Sequence, residues 1–355
     1  TVGCVLVLAI MLAAAAPGFQ GCVALAAPGD AANLGDAALP AEVTALGASA
    51  EWWAAAQSSI LQDLGQPEGA WGPDGLSAAP DWDATGEQTN DRFGESVASA
   101  GDVNGDGYAD VIVGAPGIVA QGKKGRAYVF HGSPTGLGSV PDWLEENDLA
   151  GSEFGSSVAT AGDVNGDGFS DVIVGAPLAG GLAVEGGQAY VYHGGAEGLA
   201  EESGWYANGG QIGAESGFSV ASAGDVNGDG YGDIVVGARY YDGGETDEGR
   251  AAVYHGSSSG PSLTPDWTAE GNQAVAHLGW SVASAGDLDN DGYGDVLVGA
   301  PDYDGGESGE GRVFVWRGQA LFGLGADGTP DNADWFAESN QASALLGSSV
   351  GSAGD

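Results

Sequence analysis

The sequence predicts an all-β repeat fold, a β-propeller of four-stranded blades, and three observations carry that reading. An acidic loop, Asp-Val-Asn-Gly-Asp-Gly-Tyr-Ala-Asp at 102–110, returns at Asp163, Asp225 and Asp287, 61 or 62 residues apart, and a fifth copy begins at Asp355. A tryptophan marks each period: Trp82, Trp143, Trp205, Trp267 and Trp335. Between these markers, short β-branched and aromatic runs alternate with glycine-rich turns, as strands joined by tight reversals require. A constant period points to one repeat array rather than two or three unrelated domains, and a β-sandwich would not need it.

Taken in order, each period opens on its tryptophan and passes through a variable polar stretch to a first strand, such as Ser96–Ala100. The acidic loop follows, then a second strand at 111–113, a loop rich in glycine and acid, and a third strand at 126–130. A turn leads to the next tryptophan, whose own segment can form a fourth strand. Four short antiparallel strands per period match a propeller blade. The period is long beside the roughly 40–50 residues of WD40 and kelch blades. The units run over 82–142, 143–204, 205–266 and 267–334, with a partial fifth at 335–355. Trp71–Leu76 repeats the pattern of His131–Leu137, so the register of the array is expected to begin near residue 66 and continue to 355.

Composition narrows the function. Net charge is −42, from 50 acidic and 8 basic residues, which disfavours nucleic acid and anionic membranes as partners and favours cations. The 67 glycines show no G-X-Y period, so collagen is excluded. Residues 1–27 read as an export signal: an apolar run from Val2 to Ala16, then a small-residue cleavage site at Ala24-Leu25-Ala26. That run is too short to span a bilayer, so the mature chain is expected to carry no membrane span. Phe19-Gln20-Gly21-Cys22 loosely resembles a bacterial lipoprotein box, which makes Cys22 a candidate lipid anchor. Cys4 and Cys22 are the only cysteines, so the repeats hold no disulfide. Residues 28–65 read as a linker followed by a short packing helix over 49–64. The chain begins at Thr1 and its first basic residue is Arg92, as expected of a fragment without its true start.

The loops carry the chemistry. In the first, Asp102, Asn104 and Asp106 at positions 1, 3 and 5 offer side-chain oxygens, Tyr108 at position 7 a backbone carbonyl, and Asp110 at position 9 a carboxylate. The second set is Asp163, Asn165, Asp167, Phe169 and Asp171, and the third is Asp225, Asn227, Asp229, Tyr231 and Asp233. The fourth is Asp287, Asp289, Asp291, Tyr293 and Asp295. Alternate residues of a tight turn converge on one centre, and a glycine at position 6 supplies the reversal. Oxygen donors without nitrogen or sulfur select a hard cation, and irregular coordination favours Ca2+, one per loop and four in all. An EF-hand would need a bidentate Glu at position 12, where this chain has Val113. The alternative is a set of acidic Asx-turns that bind nothing. At the millimolar calcium of an exported environment, a dissociation constant of about 10⁻⁴–10⁻³ M would stabilise each loop by about 0.6–2 kcal/mol.

Other polar residues read as structural. His131, His193 and His255 share one repeat position, with Arg317 in the fourth unit, and suit a packing or turn role. Arg126, Arg250 and Arg312 share another, where each is expected to pair with a neighbouring acid. His277 stands alone and reads as exposed, and the five tryptophans read as core anchors. No serine elbow, Walker loop or zinc spacing is present.

The unit resembles the FG-GAP repeat of integrin α-subunit propellers and of bacterial exported proteins. Phe93-Gly94 and Phe154-Gly155 match the FG element, and Gly114-Ala115-Pro116, Gly175-Ala176-Pro177 and Gly299-Ala300-Pro301 match the GAP element. The third unit departs, with Ser216-Gly217 and Gly237-Ala238-Arg239, and the later FG positions hold Leu278-Gly279 and Leu346-Gly347. The resemblance covers about 82–355. It implies calcium between the first two strands of a blade and commonly seven blades, of which this chain would supply four and the start of a fifth. The expected function is an exported, calcium-binding, non-catalytic adhesion or protein-interaction module at a bacterial cell surface, with a protein or glycan ligand. Its recognition surface would be the variable loops 117–125, 178–187, 239–249 and 302–311. The alternative is an accessory or carbohydrate-binding propeller of a larger extracellular hydrolase or lyase.

Overall fold

Four antiparallel sheets of four strands, each sheet in simple chain order, make up the repeats in a computed structural model. The structure describes residues 80–353, apart from 118–121, 123, 181–185 and 321–322. The expected signal, Cys22 anchor, linker, helix and Trp71 motif lie outside the described residues. The chain divides into units 1–83 and 84–355, and the sheets belong to the second. The first sheet comprises β1 (Ser96–Gly101), β2 (Asp110–Ala115), β3 (Arg126–Phe130) and β4 (Trp143–Glu146). The second comprises β5 (Ser157–Gly162), β6 (Asp171–Ala176), β7 (Gln188–Tyr192) and β8 (Trp205–Asn208). The third runs from β9 (Ser216–Gly224) through β10 (Asp233–Ala238) and β11 (Arg250–Tyr254) to β12 (Trp267–Glu270). The fourth holds β13 (Ser281–Gly286), β14 (Asp295–Ala300), β15 (Arg312–Trp316) and β16 (Trp335–Glu338). Each fourth strand starts at the tryptophan of the following period, so sheet and sequence repeat are out of phase.

The sheets pack face to face in chain order. First strands β1, β5, β9 and β13 lie beside one another, as in the blades of a propeller. Second strands are apolar on both faces because both faces are covered. In β6, Val172 and Val174 join a core with Ile112 and Val129 of the sheet before, while Ile173 joins Val220 and Ile234 of the sheet after. The tryptophans lock the same interfaces. Trp143, Trp205 and Trp267 are buried and each donates its indole N–H across to the next blade, to the carbonyls of Ala200, Ser262 and Ala326 at 2.9–3.0 Å. Each also meets an aromatic ring of that blade edge-on, Tyr192, Tyr254 and Trp316 respectively. Trp335 departs from this pattern and is 54% exposed.

The FG and GAP elements meet across blades. A Cβ on the GAP glycines Gly114, Gly175, Gly237 and Gly299 would lie 1.9–2.1 Å from the carbonyl oxygens of Gly155, Gly217, Gly279 and Gly347, the FG glycines of the following blade. Those four FG glycines in turn adopt positive φ, from 83° to 93°. Backbone thus touches backbone at every interface, and both partners must be glycine.

Gly175→Ala is therefore expected to lower stability by roughly 3 kcal/mol, because overpacking against a fixed carbonyl cannot relax through a side chain. Gly244→Ala, whose added methyl meets nothing within 4 Å, should change it by less than about 0.5 kcal/mol. Urea denaturation of the two variants checks this contrast.

Candidate metal centre

Each acidic loop joins the first strand of a blade to the second, so in each sheet it leaves from the end opposite the connection between the second and third strands. A glycine bulge prepares it. Gly101, Gly162, Gly224 and Gly286 take φ near +80°, and each donates its N–H to the hydroxyl two residues back.

Within the loop, the short polar side chains fold the backbone around themselves. Asp102 accepts N–H bonds from Gly105 at 2.7 Å, Asp106 at 3.1 Å and Gly107 at 2.9 Å. Asn104 accepts from Asp106, and Asp106 accepts from Tyr108, both at 2.9 Å. The loops at Asp163 and Asp225 repeat these bonds within 0.1 Å. Positions 1, 3 and 5 are therefore drawn together by nested Asx-turns. The position-1 Oδ1 accepts two N–H bonds, whereas Oδ2 accepts only that of the position-6 glycine and keeps a lone pair for a cation.

The fourth loop shows the convergence most directly. Oxygens of Asp287, Asp289 and Asp291 all lie within 4.8 Å of one another, and all three residues are exposed. This loop carries Asp289 where the others carry Asn, and Arg317 stands where the others carry His. The guanidinium lies 2.5 Å from Asp289 and 3.4 Å from Asp334, so the extra carboxylate comes with an extra cation.

Position 9 has a different place. Asp110, Asp171, Asp233 and Asp295 are buried, and both oxygens of each are engaged by backbone. One accepts the N–H of the loop's second residue (Val103, Val164, Val226, Leu288) at 2.7–2.9 Å. The other accepts from Gly132, Gly194, Gly256 or Gly318, just past the third strand, at 2.7–3.0 Å. Burial pushes the Asp233 carboxyl up to about 7 and raises that of Asp295, against the opposing pull of these N–H bonds. The oxygens at positions 1, 3 and 5, half-buried to exposed, suit a hard cation, and the position-9 carboxylate braces the loop against the sheet behind it. All-oxygen donors on a hydrogen-bonded turn fit Ca2+.

The remaining polar residues sort differently. His131, His193 and His255 each lie beside a turn glycine of the next blade, Gly198, Gly260 and Gly323. Arg126 and Arg312 pair with Glu146 and Glu338, whereas Arg250 stacks on Tyr241 at 4.2 Å. His277, read from sequence as exposed, is buried: its Nδ1 lies 2.7 Å from Asp302 and its ring meets Tyr240 edge-on. Arg239, which replaces the GAP proline, stacks on Phe218 at 3.6 Å and pairs with Glu215 at 2.7 Å. The buried Glu248 and Glu310 escaped the sequence reading. Glu248 accepts N–H bonds from Gly243, Glu245 and Asn272, and Glu310 accepts from Gly306. The repeated Asp-Gly-Gly-Glu-x-x-Glu-Gly-Arg at 242–250, matched at 304–312, was the available signal.

In chelator, Asp171→Ala is expected to destabilise by roughly 2–4 kcal/mol, since it strands two backbone donors, one of them buried. Asp167→Ala, at an exposed position, should cost about 1 kcal/mol or less. Chemical denaturation in chelator separates the two roles.

Comparison with known proteins agrees with this architecture. The family described as FG-GAP repeat matches residues 93–130, 154–192, 216–254 and 278–316. Integrin alpha-V of Gallus gallus is 35% identical over 221 residues, 59% of this chain and 20% of that protein. Integrin alpha-PS2 of Drosophila melanogaster is 32% identical over 250 residues, covering 64% and 16%. Phosphatidylinositol-glycan-specific phospholipase D of Bos taurus is 33% identical over 215 residues, covering 54% and 24%. The chain spans less than a quarter of the length of each of these relatives. With four matched repeats, each built as a four-stranded blade, the chain is an FG-GAP repeat protein that resembles the β-propeller of integrin α-subunits.

Proposed function

We propose that this array is an exported, calcium-stabilised interaction module that binds a partner through its loops and performs no catalysis itself. The observation that carries the calcium reading is the gathering of oxygens at positions 1, 3 and 5 on a hydrogen-bonded turn, half-buried to exposed in the first three loops and exposed in the fourth, with a buried carboxylate at position 9 bracing the turn. Filling the exposed cluster offsets like-charge repulsion in a chain of net charge −42.

Support for the interaction reading comes from similarity to integrin α-subunits and from the opposite end of the blades. There the second-to-third-strand loops of blades three and four are held in fixed shapes. Gln211 bonds both ways with the backbone of Asp242, at 2.8 and 2.7 Å, and Gln273 does the same with Asp304 at 3.0 and 2.7 Å. Preorganised loops lose little entropy on binding, which favours recognition. Among the described residues, no helix is long and apolar enough to cross a membrane.

A second reading, an accessory propeller attached to an enzyme, is favoured by the similarity to a phospholipase D. A longer reading frame with a new composition, rich in clustered His, Glu or Ser, would support it. Glycan binding by the tryptophans has less support, since Trp143, Trp205 and Trp267 are buried.

Calorimetric titration of calcium into chelator-stripped protein, with melting followed in parallel, tests the primary reading. The expected result is about one ion per loop, four in all, and a higher melting temperature. An unchanged melting curve in excess chelator would contradict it.

A further inference from the structure

The four loops are not independent. A Cβ on Gly105, at position 4 of the first loop, would lie 2.6 Å from the ring of Phe169, at position 7 of the second. Gly166 meets Tyr231 in the same way at 2.6 Å, and Gly228 meets Tyr293 at 2.2 Å. Each ring thus lies directly on the turn of the loop before it. Backbone bonds run in the same direction. The N–H at position 8 of the later loop (Ser170, Gly232, Gly294) donates to the position-1 carbonyl of the earlier one (Asp102, Asp163, Asp225) at 2.7–2.9 Å. The position-2 carbonyls of Val103, Val164 and Val226 also accept an N–H from the following blade, at 3.0–3.1 Å.

We propose that Phe169, Tyr231 and Tyr293 are positioning residues for the metal site of the preceding loop. This inference rests on the calcium reading above. At position 7 the backbone carbonyl is a candidate ligand of the residue's own loop, while its ring fixes positions 1 to 5 of the neighbour. Affinity at one loop then depends on a side chain supplied by the next blade.

Two features of the chain agree. Tyr108, whose ring has no described loop before it, is 42% exposed, whereas the other three rings are half-buried. The fourth loop carries Asn290 at position 4, with φ +59°, so a side chain already stands where a following ring would rest. Loops one to three are clamped, and in loop four Asn290 takes the place that Gly105, Gly166 and Gly228 hold in them.

Equilibrium dialysis against buffered calcium, on the full chain, tests this with Tyr231→Ala. One of the four sites, the Asp163 loop, should weaken about tenfold, and Tyr231→Phe should restore it. Disabling that loop with Asp163→Asn and Asp167→Asn should abolish the effect of Tyr231→Ala. Disabling the tyrosine's own loop with Asp225→Asn and Asp229→Asn should preserve it. Gly166→Asn, which imports the residue of loop four, should reproduce the weakening from the other side of the contact and covers the case in which Tyr231→Ala does not fold. An effect that follows the tyrosine's own loop, or that weakens all four sites equally, would overturn the proposal. Wild-type protein that binds no calcium would instead overturn the calcium reading, and this proposal with it.

Discussion

A carbonyl oxygen of one blade sits where a side chain would be in the blade before, and most of this structure depends on that contact. Gly155 on Gly114, Gly217 on Gly175, Gly279 on Gly237 and Gly347 on Gly299 bring successive first and second strands close at one end. With the spacing fixed there, the apolar faces of neighbouring sheets interlock, and the indole of each fourth strand reaches a carbonyl one blade away. Dispersion and burial then supply the stabilising free energy, but the glycines set the distance at which they act. At the other end of the same strands, the same spacing brings consecutive acidic loops into contact.

Those loops show how a repeated carboxylate serves two ends. A charge at the surface, hydrated and hydrogen-bonded to its own turn, is inexpensive to maintain and free to meet a cation. A charge behind the turn must be fully satisfied by donors or take up a proton, and Asp233 is balanced between those conditions. At the buried position each oxygen holds one backbone N–H, which braces the loop and leaves a second lone pair on each. The exposed positions repel one another until something positive arrives. Arg317 partly fills that need in the fourth loop, where the carboxylate count is highest.

Much of this was legible in the sequence because it repeats. The period, the strands, the loop and the tryptophans appear four times, so chance resemblance is removed by comparison of Asp102, Asp163, Asp225 and Asp287 alone. What escaped depends on neighbours some 60 residues away in sequence. Position 9 reads as one more ligand, and only the fold shows that Val103 and Gly132 also donate to Asp110. Position 7 reads only as a carbonyl donor until its ring is found on the previous loop. His277 and Arg239 hold repeat positions that carry other residues in the other units, so comparison between units did not place them, and Asp302 and Phe218 are partners only in three dimensions. Trp335 fits the pattern and still departs in burial, because no ring corresponding to Tyr192 or Tyr254 covers it among the described residues.

The central claim is that positions 1, 3 and 5 hold the cation while position 9 holds the fold. Anomalous diffraction from crystals grown in calcium tests it most directly. The account predicts one peak in each loop, bounded by residues such as Asp163, Asn165 and Asp167, with Asp171 still accepting the N–H groups of Val164 and Gly194. Peaks at the Glu248 and Glu310 turns instead, or loops without peaks at saturating calcium, would contradict it.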